Sequence, residues 1–194
     1  MARARPISEL DAQAPTARNA RLILRQRLDE MYAYAPFIAD PAHIQELHDL
    51  RIATKRVRYT LELFEEFLPA GSKEVVEELT KLQDELGALH DSEVMLALLR
   101  QLLQQEPWPG EHAASDPDGP PPGEQVALLS PELAHAVVQP AHATALSQKE
   151  RSGLLGFLHR QEQRRAQAYA LFRQHWEELE QRHFHESIVK MLNT

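Results

Sequence analysis

The sequence contains no cysteine and no long apolar run. The absence of cysteine excludes disulfides, thiolate metal ligands and thiol nucleophiles, and it suits a reducing compartment, so we expect a cytoplasmic protein. No uninterrupted apolar segment approaches the length of about 18 residues that indicates a membrane span. The N-terminal segment has two arginines without an apolar stretch after them, so no export signal is predicted.

Positive charge is also scarce. Acidic residues outnumber lysine and arginine by 29 to 21, and the formal net charge is -8. The molecule as a whole should therefore repel nucleic acid and other polyanions. Any binding of an anion needs a local concentration of cations.

Glycine is infrequent, with seven residues, while Leu, Ala, Gln, Glu and Arg are abundant, and no segment alternates as a strand would. These features predict an all-α protein. We predict four long helices: A from about Pro15 to Tyr34, B from about Ala42 to Leu68, C from Ser72 to about Gln105 and D from about Lys149 to His183. Short A–B and B–C turns make an up-and-down four-helix bundle the simplest topology, in a single domain spanning residues 1–194 with its core at about 15–105 and 149–183.

Prolines are concentrated between helices C and D. The segment from Glu106 to Gln148 contains eight of the thirteen prolines, including "DPDGPPPG". Proline lacks the backbone donor that a helix interior needs, so we predict a long, partly mobile loop over 106–148. A single helical turn is predicted within it, near Glu132 to Val138.

The most unusual stretch is "LHDLRIATKRVRY", Leu47 to Tyr59, which has four fixed cations and no acid between Arg51 and Tyr59. The spacing of 3, 4 and 3 places four of its side chains on one face of helix B: His48, Arg51, Lys55 and Arg58. Cations one turn apart rise by about 5.4 Å per step, close to the spacing of phosphates on an extended polyanion. The pattern predicts a binding site for such a chain, and Arg56 and Tyr59 lie further round the helix.

The same face has a simpler interpretation, in which the cations are solvated and their stems cover the core, with Glu62 or Asp49 as partners. On helix C, "LTKLQDELGALHDSEV" offers Lys81 and His90 as further anion contacts. Asp84 and Asp91 of that segment are alternatively the partners of the helix B cations. Gly87 in mid-helix predicts the close approach of another helix.

Several kinds of chemistry are disfavoured. "LHD" occurs at Leu47 and again at Leu89, but adjacent helical residues point about 100° apart and cannot easily share one metal ion. The spacing shows no further metal ligands, glycine-rich phosphate loop or Ser-His-Asp arrangement. We predict no enzymatic activity, no metal site and no cofactor. Nucleic acid is an unlikely partner because the cations are not interleaved with aromatic residues.

One alternative function is histidine phosphotransfer. Domains of that kind are acidic helical bundles with an exposed histidine followed by a cation, and His48 with Arg51 superficially fits this description. The longer row of cations and the lack of small residues around His48 argue against it. An acid-labile phosphoryl group on His48 would support it.

Two segments together resemble a known family. "LHDLRIATKRVRYTLELFEEFLP", followed after a short turn by "LTKLQDELGALHDSEVMLALL", is similar to the signature of the CHAD family, named for its conserved-histidine α-helical domain. The resemblance extends from Ala42 to Gln105, and more loosely over helix D. It implies an all-helical module that binds inorganic polyphosphate without catalysis and that associates with polyphosphate granules.

Full-length members of that family have two helical bundles, and this sequence resembles the C-terminal one. Either two chains therefore pair to rebuild the double bundle through an isologous interface, or the single bundle binds more weakly. We predict the homodimer, in which helices B and C of both chains face a shared basic cleft. The resemblance assigns the principal phosphate contacts to His48, Arg51, Lys55 and Arg58. Arg56, Lys81 and His90 form a second set of expected contacts.

Overall fold

A computed structural model of the protein describes residues 4–7, 9–104 and 147–193. These residues form five α-helices and no β-strand, so the all-α prediction is confirmed for this part of the chain. The helices are α1 (Thr16–Tyr32), α2 (Ile44–Leu63), α3 (Ser72–Gln104), α4 (Gln148–Gln181) and α5 (Phe184–Leu192). The predicted loop at 106–148, with its turn near Glu132 to Val138, lies outside the described residues except for its last two positions.

The second helix is shorter than predicted. It ends at Leu63 rather than near Leu68, and a single 3-10 turn follows at Glu65–Phe67. Leu68 is extended, with φ -104° and ψ 152°, because the ring of Pro69 disfavours the α conformation in the residue before it. Gly71 then adopts a φ of 102°, which only glycine takes without strain, and α3 begins at the next residue.

The chain divides into two compact units. The first comprises Met1–His90 and Gln167–Thr194. Its apolar core combines α1, α2, the first part of α3, the last part of α4 and α5. The largest fully buried side chains of this unit include Leu24, Leu28, Met31, Leu50, Leu61, Leu79, Leu82, Leu86, Phe172, Leu179 and Ile188.

The second unit comprises Asp91–Ala166, with the last part of α3 and the first part of α4. Leu96 and Leu99 are buried, and so is the carboxylate-bearing Glu93. Glu93 accepts a hydrogen bond from Arg165 of α4, and Arg100 lies 3.2 Å from Glu162. No helix in the described ranges has the length and apolar character needed to cross a membrane.

Candidate functional site

The candidate site lies on α2, where a buried stripe and a row of cations run side by side. Leu47, Leu50, Thr54 and Val57 point into the core at intervals of three or four residues. Thr54 donates its hydroxyl to the Leu50 carbonyl at 2.9 Å, which satisfies the buried polar group. The same helical period keeps the cations beside the core, with their stems partly covered and their charged ends outward.

Two histidines meet at the start of this row. The Nδ1 atoms of His48 on α2 and His90 on α3 lie 3.2 Å apart, and the ring centroids are separated by 4.5 Å. Burial lowers the pKa of His48, and the Arg51 charge lowers it further, against an opposing effect of Asp49. His48 is therefore mainly neutral at pH 7, and one imidazole of the pair donates its Nδ1 proton to the other.

Arg51 occupies the next turn, beside α3. A Cβ placed on Gly87 would lie 3.9 Å from Arg51 Nε, which is an ordinary van der Waals distance, so this position has room for alanine as well. The close approach of another helix that was expected at Gly87 is not found, because this Arg51 side chain is the neighbour within 4 Å. Arg51 Nε is buried without a hydrogen-bond partner, and Arg51 forms no ion pair within the part of the chain that the structure describes. Its charge is left available to an anion.

Lys55 and Arg58 share an aromatic platform that sequence reasoning did not identify. Lys55 Nζ lies 5.4 Å from the ring centroid of Tyr59, and Arg58 Cζ lies 4.7 Å from it. The Tyr59 side chain is exposed, so both cations are held at the surface by cation–π attraction. The spacing of four residues between Lys55 and Tyr59 could have indicated this cation–π contact from the sequence. Arg58 also lies 3.5 Å from Glu62, one of the partners expected from the sequence.

The remaining expected contacts are placed differently. Arg56 is half-buried and already has an interaction of its own. Lys81 donates to Glu78 at 3.1 Å and lines a cavity between α3 and α4. Nine residues separate Lys81 from His90, which is about half a revolution at 100° per residue. The structure therefore brings His90 to the α2 face and leaves Lys81 on the opposite side of α3.

The acids of α3 that were expected to partner the cations do not surround the row. Within the described residues, Asp84 forms no ion pair with Arg51, Lys55 or Arg58. Arg51 and Lys55, two of the three fixed cations on this face, thus lack a carboxylate partner among the described residues. The face is a concentration of positive charge on an acidic protein.

The cavity beside Lys81 has a different character. It measures about 560 Å³ and is lined by α3 and α4. His175 contacts two carboxylates, with Nδ1 at 2.9 Å from Glu85 and Nε2 at 3.1 Å from Glu78. Glu78 also accepts hydrogen bonds from Lys81 and from Arg182. This cluster was not predicted, because its partners are 90 or more positions apart in sequence.

The charges in this cluster balance one another. Burial tends to raise the pKa of Glu78, but hydrogen bonds from His175, Lys81 and Arg182 outweigh it and lower that pKa to about 2. Burial tends to lower the pKa of His175, but its hydrogen bonds with Glu85 and Glu78 outweigh that effect and raise it. Glu178 also lines the cavity, so three carboxylates, those of Glu78, Glu85 and Glu178, face the three cations Lys81, His175 and Arg182. The cluster joins α3 to α4 and offers no excess charge to an anion.

The arrangement on α2 can hold phosphoryl groups by charge and hydrogen bonding. Among the residues in view, no three His, Asp or Glu side chains lie close enough together to hold a metal ion. The row supplies one guanidinium fork from Arg51, one point charge from Lys55 and one ring N–H donor from the histidine pair. Groups of these kinds can bind a chain of phosphates without reading any sequence.

A comparison with protein families gives one match. The family model described as "CHAD domain" matches residues 2–100, about half of the chain. No curated protein and no solved structure matches the chain significantly. The matched segment contains α1, α2 and nearly all of α3, and hence His48, Arg51, Gly87 and His90. On this match, the chain belongs to the CHAD family.

Proposed function

We propose that the protein binds inorganic polyphosphate, or a similar linear polyanion, along the basic face of α2, with α3 forming the second wall of the cleft. The CHAD family is known for polyphosphate binding. The observation that carries the proposal is Arg51, whose half-buried guanidinium has no carboxylate partner in the described part of the chain. A cation that the fold leaves uncompensated favours an anionic ligand.

The dimensions of the row suit a phosphate chain. From Arg51 to Arg58 the helix rises roughly 10 Å, which is two turns. Arg51 offers two parallel donors to phosphate oxygens, and Lys55 follows one turn later as a point charge. The His48–His90 pair adds a hydrogen-bond donor at the start of the row, where a phosphate oxygen can accept. Binding by these groups requires no bond cleavage, and we propose a non-catalytic module.

We further propose that all four long helices form one up-and-down bundle and that two chains pair through an isologous interface. The support is the resemblance to one half of a double bundle. Leu63 at the end of α2 and Phe67 in the following 3-10 turn are exposed by 74% and 44%. A second copy of the chain would cover these side chains next to the shared basic cleft.

The double charge reversal Arg51→Glu and Lys55→Glu tests the proposed site. Each charged hydrogen bond contributes about 1.5–3 kcal/mol, so losing two should weaken polyphosphate binding by about 100-fold or more. The matched control is Arg160→Glu with Arg164→Glu, which reverses two exposed cations of α4. Titration with labelled long-chain polyphosphate, with mass measured on the same column, reports affinity and oligomeric state together.

Two results would contradict the proposal. Unchanged affinity in the Arg51 and Lys55 variant, with helicity intact by circular dichroism, would remove these residues from the site. Failure of the wild-type chain to bind polyphosphate would remove the function itself. In that case an assay for an acid-labile phosphoryl group would test the phosphotransfer alternative at His48.

A further inference from the structure

A second row of cations lies on α1, outside the site described above. The segment from Thr16 to Leu28 contains four arginines and no acidic residue. Arg27 is neutralised by Glu30, which accepts its Nη1 at 2.7 Å. The other three, Arg18, Arg21 and Arg25, are spaced by 3 and 4 residues and share one face of the helix.

These three arginines are not neutralised by carboxylates. Arg18 and Arg25 are exposed, while Arg21 is half-buried and its Nε is buried without a hydrogen-bond partner. Arg25 donates to the side-chain oxygen of Asn193, which is a neutral group. Across residues 4–7, 9–104 and 147–193, no ion pair joins any of the three to an acid.

The N-terminus of α1 adds to the positive electrostatic potential. The first turn of α1 contains no acid, and Pro15 at the N-cap provides no side-chain hydrogen bond. The N–H groups of this turn therefore keep their partial positive charge, which an Asp or Glu commonly offsets. Asp11 lies just upstream, but its carboxylate accepts the backbone N–H of Gln13 in its own turn. Arg18 adds a further positive charge to this turn, which a bound anion would offset.

The α1 row and the α2 row border different helices. Arg25 reaches Asn193 at the end of α5, whereas Arg51 packs against Gly87 of α3. A ligand of two or three phosphates on one row would leave the other empty. A long chain bound to one row is held at high effective concentration near the second and gains affinity from it.

We propose that Arg18, Arg21 and Arg25 form a second phosphate-binding surface, which takes up a further stretch of the same long polyphosphate chain. This inference rests on the proposed function of the α2 row. It adds a consequence that the α2 row alone does not have, namely that the protein prefers long chains to short ones.

The test compares Arg18→Gln with Arg25→Gln, made together, against Arg160→Gln with Arg164→Gln. Both double variants remove two positive charges from exposed helical positions, and Arg21 is kept because it is half-buried. We expect the α1 variant to bind long-chain polyphosphate about tenfold more weakly and tripolyphosphate as well as the wild type does. The slope of log affinity against log salt for the long chain should fall by roughly 0.7 for each phosphate contact removed.

The possible failures are distinguishable. If the wild-type chain binds no polyphosphate, both the proposed function and the α1 surface are refuted. A second outcome separates the two proposals: the wild type binds polyphosphate and the Arg51 and Lys55 reversal abolishes this binding. If the α1 variant then keeps the affinity and the salt slope of the wild type, only the α1 surface is refuted. An equal loss in the Arg160 and Arg164 control would also overturn it, since the effect would then follow from net charge.

Discussion

His175 provides the sharpest prediction about the fold. Its two ring nitrogens face carboxylate oxygens of Glu85 and Glu78 at 2.9 Å and 3.1 Å. A neutral imidazole has a single N–H, so it can donate to one of these carboxylates and must turn a lone pair toward the other. The geometry therefore requires the imidazolium, in agreement with the raised pKa of His175. We predict that protonation of His175 stabilises the packing of α4 on α3.

The size of the effect follows from the contacts. A hydrogen bond to a charged group contributes about 1.5–3 kcal/mol. The side chains of His175, Glu78 and Glu85 remain 13%, 20% and 28% exposed, so solvent weakens both bonds. Glu78 also keeps its other two donors when the histidine is replaced. We expect His175→Gln to lower the free energy of unfolding by about 2 kcal/mol near pH 6, or the melting temperature by roughly 4–8 °C.

The pH range in which the cluster stabilises the fold follows from the directions of the two pKa shifts. The pKa of His175 is raised above 6.5 in the folded protein, so its stabilisation is complete below pH 6.5 and is lost as the pH rises through the raised value. The pKa of Glu78 is lowered from 4.5 to about 2, so its contribution is complete above pH 4.5 and is lost as the pH falls toward 2. The stabilising effect of the cluster is thus largest between about pH 4.5 and 6.5.

Denaturant unfolding of wild type and His175→Gln across this range measures the effect. The two stabilities should converge as the pH rises above the pKa of His175. Lys81→Gln is the matched control, because it removes another donor to Glu78 without removing a group that titrates near neutral pH. Parallel pH profiles for wild type and His175→Gln would refute the reasoning, since the imidazolium would then contribute nothing specific.

Substitutions at two further positions probe the basic face of α2. Gly87→Ala should stabilise α3 by about 1 kcal/mol in thermal unfolding and leave polyphosphate affinity unchanged, because the new Cβ only contacts Arg51. Gly87→Leu should displace the Arg51 side chain and weaken binding. Equal polyphosphate affinity of the two variants would contradict the contact between Arg51 and Gly87. Tyr59→Ala should weaken polyphosphate binding a few-fold by releasing Lys55 and Arg58, each held by about 0.5–1 kcal/mol, whereas Tyr59→Phe should not. A loss as large for Tyr59→Phe would indicate that the hydroxyl, not the ring, is used.

Much of the fold could be predicted from local signals. In α2, Leu47, Leu50, Val57 and Leu61 are buried at intervals that follow the helical period, so this part of the core can be read from the sequence. The prediction that the second helix extends to about Leu68 was wrong. A 3-10 turn at Glu65–Phe67 and the extended conformation of Leu68 before Pro69 replace its expected last residues.

Less of the site could be predicted, because several of its contacts depend on tertiary packing. The row of cations on α2 follows from spacing alone, but the sequence does not show that Arg51 lies over Gly87. Helical geometry did contain one unused signal: Lys81 and His90 are nine residues apart and cannot face the same neighbour. The partners of His175 are 90 and 97 positions away, and no local pattern connects them.

The two sides of α3 explain how a chain with a net charge of -8 can present a cationic surface. On one side, acids of α3 are bound to His175, Lys81 and Arg182, so their charge is balanced within the fold. On the other side, His90 and Gly87 adjoin the α2 row, whose Arg51 has no carboxylate partner among the described residues. Because solvent ions screen charges beyond about 8–10 Å, a ligand on α2 responds mainly to the nearby cations rather than to the net charge. Segregation of charge between the two faces of one helix therefore lets an acidic protein present a cationic face, which the proposed binding of a polyanion requires.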